Sequence, residues 1–409
     1  MRRSSLAVVA IVCALLGATG VLVIGKAAGW IDESRTQTVV VTAEAATPAA
    51  NPVDEGAQAK PLAGNDFDPA EIYRKRAAGV VTLVAVFGPD SQTATDAAQG
   101  SGFVVSKDGY ILTNSHVVTT AGEGDGTETP EPAKSVFVEF RDGDRVRAQI
   151  VGWDVYDDVG LIKVDPSEHE LDVMPLGDSS RVVVGEPVAA IGSPFGNDSS
   201  LSVGVVSATE RSIASLTSSY DLVDAIQTDA PINRGNSGGP MFDARGRVVG
   251  INAQIRSESG NAEGVGFAVP INSAKRSMDQ LIATGKVRYA WLGVSTQTLT
   301  AKLAEHFGYP DVRGAAVQTV VAGSPAADAG IRGGGVEREF TEIPFRPGGD
   351  VIVAIDGVPV QTAEDVVRAI TEGPLPGETT RLTLLRGSKK IEVAVELGER
   401  PATPPGSDR

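Results

Sequence analysis

The hydrophobic and polar positions of the chain begin with one long apolar segment. Residues 6–25, LAVVAIVCALLGATGVLVIG, contain no charged side chain. About 20 apolar residues in a helix span the roughly 30 Å hydrocarbon core of a bilayer. We therefore predict a membrane anchor over residues 1–26. A cleaved signal peptide is the competing interpretation, but the apolar segments of signal peptides are usually shorter.

The segments that flank the folded part predict its location. Arg2 and Arg3 precede the apolar run and favour a cytoplasmic N-terminus, which places the rest of the chain outside the cytoplasm. Residues 27–66 are rich in Ala, Thr, Pro, Glu and Gln, and such a composition predicts a disordered linker. We likewise predict a disordered tail over residues 399–409 because of its sequence PATPPGSDR.

Between residues 67 and 287, short apolar segments alternate with turns rich in glycine and aspartate. VVTLVAVFG, SVFVEFRDGDRVRAQIVGW and GRVVGINAQI are examples. Many short strands at nearly regular spacing are typical of an all-β sandwich or barrel. The residues KDG at 107–109, between two apolar runs, are a hairpin signal. We predict one mostly β unit over residues 67–287.

A second unit follows over residues 288–398. It contains strands and ends in a hairpin of alternating residues, TRLTLLRGSKKIEVAVEL. A helix is expected to begin at Thr362, because Asp365 stands three residues later at the spacing of a capping box. This unit is therefore expected to be α+β.

Composition excludes several classes of function. The formal net charge of -16 argues against a nucleic-acid partner, since phosphate binding needs clustered positive charge. The single cysteine, Cys13, excludes an intrachain disulfide and a cysteine-based metal site. We expect neither a metal nor another cofactor.

Candidate chemistry centres on the segment PINRGNSGGP at residues 231–240. Its Ser237 is either a nucleophile on a tight turn or a small polar residue in a bend. A nucleophilic serine needs a base within hydrogen-bond reach. Of the three histidines, His169 lies in an acidic turn that predicts a solvated side chain, and His306 ends a short helix. His116 ends the apolar segment YILTNSHVV where a loop is expected, and it is the best candidate base.

The base in turn needs a buried carboxylate that fixes its tautomer. The segment VGWDVYDDVGLIKV offers Asp154, Asp157 and Asp158. Successive residues of a strand point to opposite faces, so only one of Asp157 and Asp158 is expected to reach His116. The alternative is that both acids cap a surface turn.

The order of these residues discriminates between two scaffolds. Gly235, Ser237 and Gly239 also fit the nucleophile elbow of α/β-hydrolases, which requires a helix after the serine. Here Pro240 and MFDARGRVVGI follow, which predict a β-hairpin. The order His116, Asp158, Ser237 in a β-rich chain is that of chymotrypsin-like enzymes.

Three segments carry a family resemblance. TNSHVV, DVGLIKV and QTDAPINRGNSGGP are similar to the catalytic segments of the HtrA (Deg) family of trypsin-fold serine proteases. The resemblance covers about residues 67–397 and implies a chymotrypsin-like double β-barrel. It implies that Ser237 is the nucleophile, His116 the general base and Asp158 the orienting acid. The N–H groups of Gly235 and Ser237 would form the oxyanion hole.

The same resemblance extends to the substrate pocket. GVGFAVP at residues 264–270 resembles the strand that follows the family's specificity loop. The loop at residues 256–263 would help to shape a pocket for small aliphatic side chains. The substrate-binding residues that the resemblance implies are Ile232, Asn252, Ala253 and Gln254.

The second unit resembles a PDZ domain through YAWLGV, GSPAADAGI, GGDVIVAIDGVPV and TAEDVVRAI. Such a domain adds the C-terminal strand of a peptide to its sheet edge. The resemblance implies a carboxylate loop at Leu292, Gly293 and Val294. The implied groove residues are Val366, Val367 and Ile370, whose alternative role is core packing. An insertion at residues 333–349 could cover or reshape the groove.

Together with the apolar run, the resemblance implies a membrane-anchored serine endopeptidase that cleaves unfolded or misfolded extracytoplasmic proteins. The resemblance implies a homotrimer, with a PDZ domain that binds C-terminal peptides. Two alternatives stay open. One is a regulatory protease for a single membrane or secreted substrate, and the other is a chaperone or PDZ scaffold with little proteolysis.

Overall fold

The computed structural model describes most of the chain after residue 66. The described ranges are 67–88, 97–121, 130–193, 199–233, 235–255, 264–310, 312–403 and 405, without the side chains of 254 and 255. The predicted anchor, the predicted linker and the specificity loop at 256–263 lie outside these ranges. Among the helices within them, none combines the length and the apolar character that crossing a membrane requires.

Six strands close the first β-barrel in the order β1-β2-β3-β6-β5-β4. They are β1 (Val80–Val86), β2 (Ala97–Val104), β3 (Tyr110–Thr113), β4 (Ser135–Glu139), β5 (Arg145–Asp154) and β6 (Val159–Lys163). The predicted turn at 107–109 joins β2 to β3, which confirms that hairpin. A short helix α1 (Pro69–Arg76) precedes the barrel, and its first turn is capped by Asp68.

Six further strands close a second barrel in the order β10-β11-β12-β9-β8-β7. They are β7 (Pro187–Gly192), β8 (Ser200–Ala214), β9 (Asp221–Thr228), β10 (Pro240–Phe242), β11 (Val248–Ile255) and β12 (Gly266–Pro270). Strands β10 and β11 form the hairpin predicted after Pro240. Two further helices belong to this two-barrel unit: α2 (Ser115–Val118) follows β3, and α3 (Ile271–Thr284) follows β12.

Strands β3 and β6 of the first barrel contribute side chains to two different hydrophobic clusters. Ile111 and Ile162 belong to a cluster formed by residues of the first barrel. Their neighbours Leu112 and Leu161 belong to a cluster shared with the second barrel, for example with Ile251. Because successive side chains point to opposite faces of a strand, one face fills the first barrel and the other packs between the barrels. This shared core holds the two barrels together.

The C-terminal unit is built on a sheet in the order β14-β15-β18-β20-β21. Its strands are β13 (Ala290–Trp291), β14 (Val294–Leu299), β15 (Gly314–Val320), β16 (Arg338–Phe340), β17 (Ile343–Phe345), β18 (Val351–Ile355), β19 (Val358–Pro359), β20 (Thr379–Arg386), β21 (Lys389–Glu396) and β22 (Gly398–Glu399). Its helices are α4 (Ala301–Phe307), α5 (Pro325–Asp328) and α6 (Ala363–Glu372). The capping box of Thr362 and Asp365 is confirmed at the start of α6.

The first residues of the predicted tail are part of the folded structure, so the prediction was wrong there. Strand β22 pairs with β13, and Arg400 N–H donates to the Tyr289 carbonyl at 2.9 Å. The Arg400 guanidinium lies over three tyrosine rings, with its carbon 5.3 Å from the centroid of Tyr156 and 5.0 Å from those of Tyr220 and Tyr289. These cation–π contacts hold the end of the second unit against the two-barrel unit.

Replacing Arg400 with alanine should loosen this junction. Partly desolvated cation–π contacts are worth about 1–2 kcal/mol, which corresponds to roughly fivefold to thirtyfold faster local opening. Hydrogen exchange at residues 288–291 measures that opening. Arg288→Ala is the control, since Arg288 pairs with Glu399 at an exposed position and such pairs contribute little. Equal exchange in both variants would contradict a role for the tyrosines.

Candidate active site

The segments that carry Ser237 and His116 meet at the junction of the two barrels. Ser101 N–H on β2 donates to the Ser237 carbonyl at 2.8 Å, which ties the serine loop to the first barrel. A Cβ atom at Gly238 would lie 3.1 Å from the Asn114 backbone nitrogen. His116 lies in the one-turn helix α2, where the sequence predicted a loop. The serine loop and the histidine helix are therefore adjacent.

Asp158 is buried and bonded to His116, as the sequence predicted for one acid of the pair. Asp158 Oδ2 lies 2.8 Å from His116 Nδ1, and the His116 N–H donates to Oδ1 at 3.1 Å. Asp158 ends the turn before β6 and has a positive φ of 51°. This contact places a proton on Nδ1 and leaves Nε2 free to accept one, which is the tautomer that a general base needs.

Asp157 faces away from His116. Its Oδ2 accepts a hydrogen bond from Arg276 at 2.9 Å and lies 2.8 Å from the Tyr289 hydroxyl. The same hydroxyl lies 2.6 Å from Asp154 Oδ2, which also accepts from Ser277 at 2.6 Å. Burial and the nearby charge of Asp157 raise the pKa of Asp154 to about 6. Asp154 and Asp157 therefore belong to a hydrogen-bond network with Arg276, Ser277 and Tyr289 that is separate from the contact of Asp158 with His116.

The pKa of His116 reflects two opposing effects. Burial lowers it, whereas the charge of Asp158 and its hydrogen bond raise it, and the net shift is upward from 6.5. A general base acts only in its neutral form. We expect kcat/KM to be low below the raised pKa and to increase as pH rises through it. A pH profile of kcat/KM checks this, and a midpoint below 6.5 would contradict the predicted direction.

The serine loop is shaped by glycines with positive φ. Gly235 has φ 102° and Gly238 has φ 83°, which a residue with a Cβ rarely adopts. The N–H of Asn236 donates to the Asn233 carbonyl at 3.0 Å, which closes a tight turn. Within the described ranges, the N–H groups of Gly235 and Ser237 donate to no other group of the protein. Two unused donors next to the serine suit an oxyanion hole.

Gly238→Ala should disrupt this loop. A Cβ there would lie 2.2 Å from the Ser101 carbonyl oxygen and 2.3 Å from Thr113 Oγ1, so the loop would have to move. A displacement of about 1 Å near reacting groups costs on the order of 10² in rate. Gly185→Ala is the matched control, because Gly185 also has a positive φ but a Cβ atom there would meet no other atom within 4 Å. Comparable kcat values for the two variants would argue against a tight loop.

The Ser237 hydroxyl is not bonded to the base in this structure. Its Oγ donates to the Ala253 carbonyl at 3.1 Å, and in the described part of the chain no hydrogen bond joins it to His116. Catalytic hydrogen bonds are often long or misaligned in the absence of substrate. The serine must therefore rotate away from Ala253 before His116 can take its proton.

The expected substrate-binding residues have different surroundings. Ile232 is buried against Gly266, where a Cβ would lie 2.7 Å from Ile232 Cγ1. Asn252 is also buried, and its backbone N–H and carbonyl bond to Gly239 and Gly238 at 2.9 and 2.8 Å. Asn252 thus holds the serine loop, and the Gln254 side chain lies outside the described atoms. Of this set, Ala253 contacts Ser237 directly.

The expected PDZ residues lie at the start of β14 and on α6. Gly293 has φ 82°, and its carbonyl accepts from Val321 N–H at 2.9 Å. Leu292, Val366 and Ile370 are buried in the core of this unit, and Val294 packs partly against it. The packing role that the sequence left open for the three α6 residues therefore applies to Val366 and Ile370, whereas Val367 is 37% exposed on α6.

The glycine-rich insertion packs against α4. Phe345 on β17 stacks on Phe307 with centroids 5.0 Å apart, and Phe340 on β16 lies 4.3 Å from His306. The Gly348 N–H donates to the Tyr309 hydroxyl at 2.7 Å. These contacts involve α4 and the residues after it, so the insertion is held at a helix other than α6.

One further cluster contains groups that could bind a metal. Donor atoms of Asp142, Asp144 and His169 lie within 4.8 Å of one another. The expectation of a solvated His169 was wrong, because its ring stacks on Phe140 at 3.7 Å and its side chain is 15% exposed. Its Nε2 bonds Asp142 Oδ2 at 3.0 Å, while Nδ1 is buried and has no hydrogen-bond partner among the described residues. If Nε2 were the metal ligand, no group in the described part of the chain would hold Nδ1 as metal-binding histidines usually require.

Comparisons with known proteins give the class of this molecule. The protein-family model described as "Trypsin-like peptidase domain" matches residues 100–251, and the family model described as "PDZ domain" matches residues 290–397. The chain is 34% identical to a solved structure described as "HtrA-type protease AlgW with tripeptide". That match covers 82% of this chain and 98% of the other, with a TM-score of 0.65. The expectation of a mostly β chain with a trypsin-like part and a PDZ domain is confirmed.

Other relatives agree with this class. A protein of Hahella chejuensis named "Probable periplasmic serine endoprotease DegP-like" is 40% identical over 77% of this chain and 59% of its own length. A relative of the same name from Brucella suis is 38% identical over 74% of this chain and 53% of its own length. The chain thus spans little more than half of the curated relatives it matches. It belongs to the HtrA family of serine proteases.

Proposed function

We propose that this chain is a serine endopeptidase that cleaves unfolded or misfolded proteins outside the cytoplasm. The main support is the buried Asp158 bonded at 2.8 Å to His116 Nδ1, next to a glycine loop that carries Ser237. In this proposal Ser237 attacks the scissile carbonyl, and His116 takes its proton and later gives it to the leaving amine. Gly235 and Ser237 N–H groups stabilise the oxyanion.

We propose that the PDZ unit binds the C-termini of peptides and controls the protease part. Strand β14 pairs with β15 on one side, and α6 flanks it, which is the arrangement needed for adding a peptide strand. Arg368 on α6 donates to both carboxylate oxygens of Asp224 on β9, at 2.8 and 2.9 Å. A peptide that shifts α6 would therefore act on the second barrel.

We further propose an anchored, extracytoplasmic homotrimer. The charge-free run at residues 6–25 after Arg2 and Arg3 supports the anchor and its orientation. The names of the relatives, which describe periplasmic proteases, support the location. Sedimentation of the full chain in detergent measures the oligomeric state, and a monomer would contradict the trimer.

Casein, an unfolded protein, tests the proposed activity. The full chain in mild detergent is incubated with casein and with a folded protein of similar size, each with and without peptides that have free C-termini. We expect cleavage of casein only, and faster cleavage with the peptides. Peptides with amidated C-termini are the control, because they lack the carboxylate that the Leu292–Val294 loop would bind. Folded-protein cleavage at the same rate would contradict the substrate class.

A truncated variant tests whether the PDZ unit controls the protease part. We expect a variant without residues 288–409 to lose its response to peptides. A response that persists in this variant would contradict PDZ control while leaving the endopeptidase proposal intact.

A further inference from the structure

Asn114, Ser115 and His116 all form hydrogen bonds with Asp158. The Asn114 side chain donates to the Asp158 carbonyl at 2.8 Å, and Ser115 N–H donates to the same oxygen at 3.3 Å. The Ser115 hydroxyl donates to Asp158 Oδ1 at 2.8 Å, and His116 binds both carboxylate oxygens. Asp158 is thus held through its backbone and its side chain by the segment that carries the base.

The two oxygens of Asp158 have different partners. Oδ2 has the His116 ring at 2.8 Å, whereas Oδ1 has the Ser115 hydroxyl at 2.8 Å and the His116 N–H at 3.1 Å. A carboxylate rotates about its last side-chain bond unless both oxygens are held. The shorter of the two Oδ1 contacts comes from Ser115. Its hydroxyl is therefore the main restraint on Oδ1, the carboxylate oxygen that does not contact the His116 ring.

Burial makes this hydroxyl important. Ser115 is fully buried and Asp158 is 5% exposed, so water does not readily replace a missing donor. Hydrogen bonds to charged groups are stronger than those between neutral groups, and a buried acceptor left without its donor carries a desolvation cost. Removing the hydroxyl would leave Oδ1 with the backbone donor alone, and the carboxylate would then turn partly away from His116.

We propose that Ser115 is a positioning residue that holds the Asp158 carboxylate in line with His116 through its side-chain hydroxyl. The inference rests on the proposed endopeptidase function, in which His116 is the base. Ser115 acts through Asp158 and His116 and does not itself contact the reacting atoms.

Ser115→Ala should lower kcat/KM on casein about tenfold to a hundredfold, as expected for losing one hydrogen bond to a charged group. The midpoint of the pH profile should also fall, because a weaker contact with Asp158 removes part of what raises the His116 pKa and leaves the lowering effect of burial. Loss of folded protein would reduce the rate without moving this midpoint.

The chain offers a closely matched control. Ser277 is also fully buried, and its hydroxyl donates to a buried carboxylate, Asp154, at 2.6 Å. Ser277→Ala removes the same kind of bond from an acid that does not face His116. We expect the midpoint of its pH profile to equal that of the parent. An equal shift in both alanine variants would overturn the proposal.

A second pair of variants covers the case in which Ser115→Ala does not fold. Thr and Val have nearly the same shape, but only Thr has a hydroxyl. Ser115→Thr and Ser115→Val therefore compare a side chain that can donate to Asp158 with one of similar volume that cannot. We expect the Thr variant to retain the parent midpoint and the Val variant to lose it. Identical midpoints in this pair would overturn the proposal.

Titration of His116 by NMR separates this inference from the proposed function. The chain has three histidines, so labelled histidine signals can be assigned with single substitutions at His169 and His306. In a Ser237→Ala background, which needs no turnover, Ser115→Ala should lower the pKa of His116. An unchanged pKa would overturn the role of Ser115 even if casein is cleaved. A lowered pKa without any casein cleavage by the parent would support the positioning and count against the endopeptidase.

Discussion

Ser237→Ala should reduce casein cleavage by on the order of 10⁶, the scale on which a serine protease loses turnover without its nucleophile. The substitution removes the hydroxyl of the residue whose own N–H is one of the two unused donors of the loop. What remains is binding and the oxyanion hole, which retain a small part of the acceleration. The measurement is the initial rate of casein cleavage by the full chain and by the variant at equal concentration.

Ser212→Ala is the control for this comparison. Ser212 lies on β8, and its hydroxyl bonds Asp221 at 3.2 Å at an exposed position. We expect this variant to match the parent, since exposed positions away from such sites usually change little. Comparable losses in both variants would mean that the cleavage does not depend on Ser237.

Asp158→Asn should reduce kcat by about 10⁴, because an amide at this position imposes the wrong tautomer on the base. The Oδ1 position accepts from Ser115 and from the His116 N–H, so the amide oxygen takes that position. The amide NH₂ then faces His116 Nδ1, which must become an acceptor. Nε2 then carries the proton and cannot take another from Ser237.

Asp157→Asn makes the same chemical change one residue away. Asp157 faces Arg276 and Tyr289, so the variant should keep kcat within about tenfold of the parent when rates are compared per folded molecule. Its stability should fall, because Arg276 is largely buried and loses its charged partner. A loss of kcat equal to that of Asp158→Asn would contradict the assignment of the two acids.

Features set by neighbouring residues could be predicted from the sequence. The turn at 107–109 and the capping box of Thr362 and Asp365 depend on residues a few positions apart, and both are present. Only one of Asp157 and Asp158 contacts His116, as predicted, but both lie in the turn before β6, so strand alternation was the wrong reason. The order of His116, Asp158 and Ser237 in a β-rich chain was enough to favour a chymotrypsin-like scaffold.

Features set by distant residues could not be predicted in the same way. The Ser115 hydroxyl meets Asp158 across 43 positions, and no local pattern indicates that contact. Arg400 lies in a segment whose composition predicts disorder, yet it is held by Tyr156 and other tyrosines of distant segments. Positive φ at Asp158 has only a weak signal in the residue type, since aspartate adopts it more often than most residues but is usually found at negative φ.

The positions of Asn252 and Val366 illustrate a second limit. A family motif places these residues near a pocket or groove, but packing decides whether the side chain faces it. Both are buried, Asn252 behind the serine loop and Val366 in the core of the PDZ unit. Their exposure depends on the packing of β11 and α6 against the rest of the fold.

The most direct test of Ser237 as the nucleophile is the stoichiometry of its covalent inactivation. The full chain, while cleaving casein, is treated with a fluorophosphonate, and mass spectrometry measures the fraction of Ser237 that is modified. We expect the fraction of activity lost to equal the fraction of Ser237 modified, with no adduct in His116→Ala. Activity lost without an adduct on Ser237, or kept after complete modification, would contradict the account.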